Sequence, residues 1–260
     1  MSIKLADYNA VCVNISSGKD SQQTLQNICE QAYREGVLHR VSAVYADTGA
    51  ELTGSMPHCR YLTNYYQVPN HPLPEKIRLR GRWPSAKCRY CTSDCKVAPI
   101  AKYIRNKYIF KEECRILMVS GERREESPHR KTLPEFEVDT NLTAGYRKVF
   151  RYRPILDMTK KEVWSSIYAS KLRWHPAYSK GNDRVSCAIC IFANATDIRN
   201  GAEDRPDLAE EFLKFEQESN HTFRYRQTLA SILCQRNTPP GAWPGGMQRR
   251  NVARRKAKYP

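Results

Sequence analysis

The apolar run Val11-Cys12-Val13-Asn14-Ile15 leads directly into Ser16-Ser17-Gly18-Lys19-Asp20-Ser21 and then into an amphipathic stretch. This order of strand, tight loop and helix constrains the fold more than any other feature, because it sets a helix N-terminus at the carboxyl end of a strand. The helix reading rests on Leu25, Ile28, Cys29, Ala32 and Tyr33, which recur at i, i+3, i+4, i+7 and i+8 as one apolar stripe. Free backbone N–H groups and the positive dipole end face the loop. Gly18 permits close approach, Lys19 adds a point charge, and the hydroxyls of Ser16, Ser17 and Ser21 can donate to phosphate oxygens. An anion is the natural ligand. The loop is not a Walker A loop, since Asp20 separates the lysine from the next serine and no glycine stands at the required upstream distance.

Downstream, strands and helices alternate. Val41 to Ala46 reads as a strand ending in Asp47-Thr48-Gly49, followed by a helix near Pro57 to Tyr66 with Cys59, Leu62 and Tyr66 on one side. Ile116 to Ser120 reads as a strand ending at Gly121, and Phe150 to Leu156 as another ending at Asp157. Thr159 with Glu162 forms a capping box for a helix through Ser170. Two further helices use Leu208, Phe212 and Phe215 behind Pro206, and Leu229, Ile232 and Leu233. The expected fold is α/β, a doubly wound, mostly parallel, Rossmann-like sheet with a small helical C-terminal part. The expected division is a nucleotide-binding domain over 1–200 carrying the cysteine segments, a helical subdomain over 201–238 and a basic tail over 239–260. Because ligands of such sheets bind beyond the strands' carboxyl ends, Ser16 to Ser21, Asp47 to Gly49, Gly121 onward and Asp157 are expected to face one crevice. Asp47 is placed to bind a ribose, hold Mg2+ through water or cap its turn, and Asp20 is a similar candidate.

With 43 Lys and Arg against 27 acidic residues, the net charge of +16 favours a polyanionic partner. Arg249, Arg250, Arg254, Arg255, Lys256 and Lys258 follow a Pro/Gly-rich breaker and read as a basic arm. No apolar run approaches the roughly 20 residues of a membrane span, and Met1 to Asn9 lacks the apolar core of a signal peptide, so a cytoplasmic protein is expected. Of ten cysteines, Cys88, Cys91, Cys187 and Cys190 form two Cys-x-x-Cys pairs with Cys95 in reserve, enough for Zn2+ or a [4Fe-4S] cluster. Cys12, Cys29, Cys59 and Cys114 stand singly and read as packing residues, and Cys234 reads as a core residue of the last helix.

Several segments resemble one family. Ser16 to Ser21 is similar to the SGGxDS loop of the N-type ATP pyrophosphatases, with Ser17 in place of the first glycine. Gly121-Glu122-Arg123-Arg124-Glu125-Glu126-Ser127-Pro128-His129-Arg130 resembles the GxRxxES-x-x-R segment of the phosphoadenosine phosphosulfate (PAPS) reductase family. Cys91 to Ile100 is similar to its Cys-x-x-x-x-Lys-Val-x-Pro-Leu stretch, and His175-Pro176-Ala177-Tyr178 with Gly181 to Cys190 to its His-Pro-x-Tyr-x-x-Gly run into Cys-x-x-Cys.

The resemblance implies an adenine nucleotide α-hydrolase-like fold, ATP with Mg2+ at Ser16 to Ser21, and cleavage at the α-phosphate that adenylates a second substrate. It implies catalytic roles for Lys19, Asp20, Arg123 and Arg130, and nucleotide contacts from Asp47, Thr48, Gly49, Gly121, Glu122 and Arg123. Arginine forks also suit phosphate or sulfate oxygens on physical grounds. Iron–sulfur-bearing relatives favour the cluster over zinc, and a protein sulfur donor or effector complex would be a partner. The family also holds sulfonucleotide reductases, DNA phosphorothioation enzymes of the DndC type and CRISPR-associated proteins. Nothing here matches the reductases' Glu-Cys-Gly-(Leu/Ile)-His motif, so an adenylating, sulfurtransferase-like enzyme linked to nucleic acid is the expectation. A PAPS or APS reductase and a non-catalytic nucleotide-binding accessory protein are the alternatives.

Overall fold

Valine- and isoleucine-rich runs bounded by polar loops build the centre of the molecule. The computed structural model describes residues 3–69, 72–109 and 111–234. The expected basic arm lies outside the described residues, as do 235–238 of the helical part. Six strands, β1 (Ala10–Ile15), β2 (Val41–Ala46), β3 (Tyr65–Val68), β4 (Cys114–Val119), β5 (Phe136–Val138) and β6 (Arg147–Tyr152), form one sheet in the order β3-β2-β1-β4-β6-β5. All pairings are parallel except β5 with β6, and β1 is in register with both neighbours through Val11↔Val41 and Val11↔Leu117. The sheet is therefore doubly wound and mostly parallel, as expected.

Both of its faces are covered, which is why β1 reads as a continuous apolar run rather than an alternating one. Val11, Val13 and Ile15 pack with Leu25, Ile28 and Ala32 of α1 (Lys19–Arg34) and with Cys59 of α2 (Ser55–Leu62). Ala10 and Cys12 face the other way, toward Tyr103 and Ile104 of a helix at Ala98–Lys107. Between these lies α3 (Leu73–Arg80), so the Ala98–Lys107 helix is α4. The remaining long helices are α5 (Lys160–Ser170), α6 (Ala195–Asp204), α7 (Pro206–Ser219) and α8 (Leu229–Cys234). They share a third core with the cysteine segments, in which Trp83 meets Phe212, Phe215 and Phe223 edge-on. The Thr159–Glu162 capping box at the start of α5 is present as read.

Four expectations need correction. Tyr66 is not on α2: the chain becomes extended at Thr63 and re-enters the sheet as β3, because apolar residues at 59, 62 and 66 satisfy helical spacing as readily as they end a helix and start an edge strand. The strand expected at Phe150 to Leu156 starts at Arg147 and stops at Tyr152, just before Arg153 and Pro154, whose ring removes a ladder donor. Tyr33 sits on the flank of the α1 stripe in its last turn and is 77% exposed. Cys234 is exposed, not core, being about 140° around α8 from Leu229 at roughly 100° per residue.

Candidate active site

Strand order reverses between β1 and β4, so the loops leaving these two parallel strands diverge and open a crevice at the switch point. The β1 loop is shaped by its own serines. The Ser21 hydroxyl accepts from the Ser16 backbone N–H at 3.1 Å and lies 2.6 Å from the Ser16 carbonyl and 2.9 Å from the Gly18 carbonyl, so it closes the loop instead of facing a ligand. Ser17 donates to Ser55 Oγ at 2.8 Å. Gly18 is the N-cap of α1, and a Cβ there would stand 3.1 Å from the Val185 carbonyl oxygen. In the first turn of α1 the Lys19 N–H donates to the Tyr178 hydroxyl at 2.9 Å, while the Asp20 and Ser21 N–H groups have no acceptor among the described residues. Two donors at the positive end of a sixteen-residue helix thus remain for an anion.

The charges beside these donors are arranged around one carboxylate. Asp20 Oδ2 takes Lys19 Nζ at 2.9 Å and its Oδ1 takes Arg123 Nε at 2.6 Å, although both cationic side chains are only 4% exposed. Arg123 also reaches Glu125 at 2.6 Å, and the Glu126 carboxylate accepts from its backbone N–H at 3.0 Å. Burial opposes the Arg123 charge, but the neighbouring Asp20 and Glu125 hold its pKa above the ordinary value. Gly121 is needed for this closeness, since a Cβ there would stand 2.8 Å from the Asp20 carbonyl oxygen and 2.9 Å from Thr24 Oγ1.

The other arginines of that segment are engaged elsewhere. Arg124 binds Asp157 at 2.6 Å and the carbonyls of Lys131 and Leu133 at 2.7 and 2.6 Å, which fixes the loop. Arg130 pairs with Glu126 and lies 3.7 Å from Glu122, whose other oxygen takes the buried Arg153 at 2.7 Å. Beyond β2, Asp47 accepts from the Gly49 N–H and from Gln67 Nε2, both at 2.9 Å, and the Thr48 hydroxyl donates to Glu51 at 2.6 Å.

The cysteine segments meet this loop from the other side. The Ala188 N–H donates to the Ala50 carbonyl at 2.7 Å and Glu51 bridges Cys187, so the second Cys-x-x-Cys lies against the residues after β2. All ten cysteines are free thiols, Cys88, Cys91, Cys187 and Cys190 are half-buried against one core, and Cys95 is fully buried in it. Lys96 is stabilised as a cation by Cys187, against the cost of burial, and further by Glu51, Cys190 and Cys91. Thiols from both segments around one cation offer the donor chemistry of a soft metal or an iron–sulfur cluster. Among the described residues no three His, Cys, Asp or Glu side chains stand close enough to share an ion. Lys96, Glu51 and Tyr178 were not singled out from the sequence; Lys96 and Tyr178 lie inside motifs quoted above, whereas Glu51 carries no local signal.

His175, the first residue of the His-Pro-x-Tyr segment, packs edge-on against His58 at 5.6 Å, and His58 Nε2 lies 3.3 Å from Gln22 Oε1 on α1. Burial lowers both imidazoles from their ordinary 6.5 to about 4. The unfolded chain gains these protons near pH 6.5 and the folded one only near pH 4, so unfolding takes up protons between those values. Stability is therefore expected to fall as pH drops through that window, and His58→Gln to reduce the fall. A urea midpoint that stays constant across the window would contradict this.

A doubly wound α/β sheet carries a helix N-terminus, two buried cations and a bridging carboxylate at its switch point, an arrangement whose chemistry suits an anion. Residues 10–193 match the family model described as the phosphoadenosine phosphosulfate reductase domain, and the chain belongs to that family. It is 27% identical over 168 residues to an uncharacterized 37.8 kDa protein of Escherichia phage 186, covering 65% of this chain and 46% of that protein. Similarity to an uncharacterized protein of Methanocaldococcus jannaschii is 25% over 209 residues, again spanning 46% of the relative, so the chain covers under half the length of both. It is also 32% identical over 141 residues to an adenosine 5'-phosphosulfate reductase of Anoxybacillus flavithermus, covering 53% of this chain and 54% of that enzyme. Among solved structures, a phosphoadenylyl-sulfate reductase from Candida auris aligns with a TM-score of 0.47 at 14% identity, over 70% of this chain and 83% of that one.

Proposed function

We propose that the chain is an adenine-nucleotide enzyme that cleaves ATP between the α- and β-phosphates and adenylates a second substrate, a nucleic acid or other polyanion. The observation that carries this reading is the Lys19–Asp20–Arg123 bridge at the N-terminus of α1, where two buried cations are held ready beside two unused N–H donors. The β- and γ-phosphates would lie at Ser16 to Ser21, and Arg123 would face the charge that grows as pyrophosphate leaves. Catalysis is then mainly positioning and charge stabilisation. Asp47 or Asp20 would hold Mg2+, which would supply further neutralisation of phosphate charge. Cys88, Cys91, Cys187 and Cys190, no three of which stand close enough in this structure to share an ion, would have to draw together to hold a [4Fe-4S] cluster, with Zn2+ as the alternative, and this group would supply a docking point for a sulfur donor. Arg130, drawn toward Glu122 and Glu126, would enter only if the nucleotide displaced one of those carboxylates.

A sulfonucleotide reductase is the second reading, favoured by the partial identity to adenosine 5'-phosphosulfate reductases. Product analysis separates the two. ATP with single-stranded DNA is expected to give AMP and pyrophosphate; sulfite released from a sulfonucleotide in the presence of a thiol reductant selects the reductase, and ADP with phosphate rejects the pyrophosphatase reading. Anaerobically purified protein is expected to contain iron and acid-labile sulfide that Cys187→Ser loses, whereas stoichiometric zinc would reject the cluster.

A further inference from the structure

On the sheet face opposite α1, where β3 meets α4, lies an open groove of about 410 Å3 lined by Tyr66, Pro69, Lys102, Tyr103, Asn106 and Lys107. Its floor is aromatic. Tyr103 is almost buried and stacks on Tyr66 with ring centroids 4.2 Å apart at 23°, while Tyr66 itself remains 48% exposed. A ring backed on one face and open elsewhere is fixed before any ligand arrives, so little conformational freedom is lost when a second flat ring stacks on it.

The rim is cationic. Lys107 Nζ donates to the Tyr103 hydroxyl at 2.6 Å and lies 5.2 Å from that ring's centre. Neither Lys107 nor Lys102 pairs with a carboxylate among the described residues, and the sequence from Lys96 to Lys111 contains no acidic residue. Uncompensated ammonium groups beside an exposed aromatic ring complement a ligand that joins a π-face to phosphates. Gln67, the next residue of β3, holds Asp47 through its side-chain amide, so the strand that carries Tyr66 also reaches the loop after β2.

We propose that this groove binds single-stranded nucleic acid, with one base stacked on Tyr66 and flanking phosphates on Lys102 and Lys107. A duplex is disfavoured, since its bases hide the faces that Tyr66 requires. The proposal rests on the reading that the second substrate is a polyanion and names where that polyanion lies.

Binding of a fluorescent oligo-dT to the full chain, followed by anisotropy over a range of salt, tests it. Tyr66→Ala is expected to weaken binding about tenfold with the salt slope unchanged, because stacking carries no counterions. Tyr66→Phe and Tyr66→Trp should bind as the natural chain does. The exposed rim allows a second test that leaves the floor intact: Lys102→Gln with Lys107→Gln should flatten the plot of log K against log salt by about 1.4, at roughly 0.7 per phosphate contact on a single strand. Wild-type binding that ignores both sets of substitutions, or duplex competing as well as single strand, overturns the groove while leaving a polyanion partner in place. Absence of any binding by the natural chain removes the polyanion reading itself. ATP turnover that persists in that case shows that the nucleotide chemistry stands apart from it.

Discussion

Asp20→Ala is expected to cost the fold about 3 kcal/mol and to lower turnover of ATP by roughly 10²- to 10³-fold. The stability loss follows from what the substitution leaves behind. Lys19 and Arg123 are both 4% exposed, and the Asp20 carboxylate is the group that lies between them. Without it, Arg123 retains Glu125 but Lys19 keeps no carboxylate among the described residues, and two cations repel one another out of water. The turnover loss follows from aim, since the same carboxylate fixes where both cations point. Asp20→Asn, which keeps one acceptor and loses the charge, should fall between. Added pyrophosphate should raise the melting temperature of Asp20→Ala by more than that of the natural protein, because an anion then replaces the missing charge. Equal pyrophosphate stabilisation of the two proteins would place the phosphates elsewhere.

That bridge was only half legible in the sequence. Lys19, Asp20 and Arg123 each stood in a recognisable segment, but the contact between Asp20 and Arg123 spans 103 positions and leaves no local periodicity. The three strands with apolar runs, β1, β2 and β4, were readable because burial removes polar residues from them, whereas β6, with Arg147, Lys148 and Arg151, was placed three residues late. β3 and β5 were not readable. Their exposed edges admit Gln67 and Glu137, and at four and three residues they are too short to show a period. Side-chain destinations were harder still: Ser21 was read as a phosphate donor by residue type, yet its hydroxyl is spent on the Ser16 and Gly18 carbonyls. Arg124, likewise, is spent on the carbonyls of Lys131 and Leu133, a use its planar fork suits as well as it suits phosphate.

Gly201→Ala is the second large effect expected, and it opposes local propensity. In a helix interior this exchange ordinarily stabilises by about 1 kcal/mol. Here α6 lies directly on the second cysteine segment. A Cβ on Gly201 would overlap the Ala188 carbonyl oxygen and stand 2.5 Å from its carbonyl carbon and 3.1 Å from its Cα. These are backbone atoms, so no rotamer change relieves the clash. Ala188 is tied on its other side, through its own N–H, to the Ala50 carbonyl at 2.7 Å, so the segment cannot retreat without breaking a bond to the loop after β2. Overpacking of this kind should outweigh the propensity gain and destabilise by about 3 kcal/mol, lowering the melting temperature by roughly 6–12 °C for a domain of this size. Displacement of Ala188 should also shift its neighbour Cys187 and raise the rate at which Cys187 and Cys190 react with a thiol reagent. Ala202→Gly, one residue along the same helix, should lower stability by only about 1 kcal/mol through propensity and leave thiol reactivity alone. If Gly201→Ala proves as stable as the natural chain and its thiols react no faster, α6 does not press on the cysteine segment, and the close packing that joins the C-terminal helices to the crevice is wrong at that point.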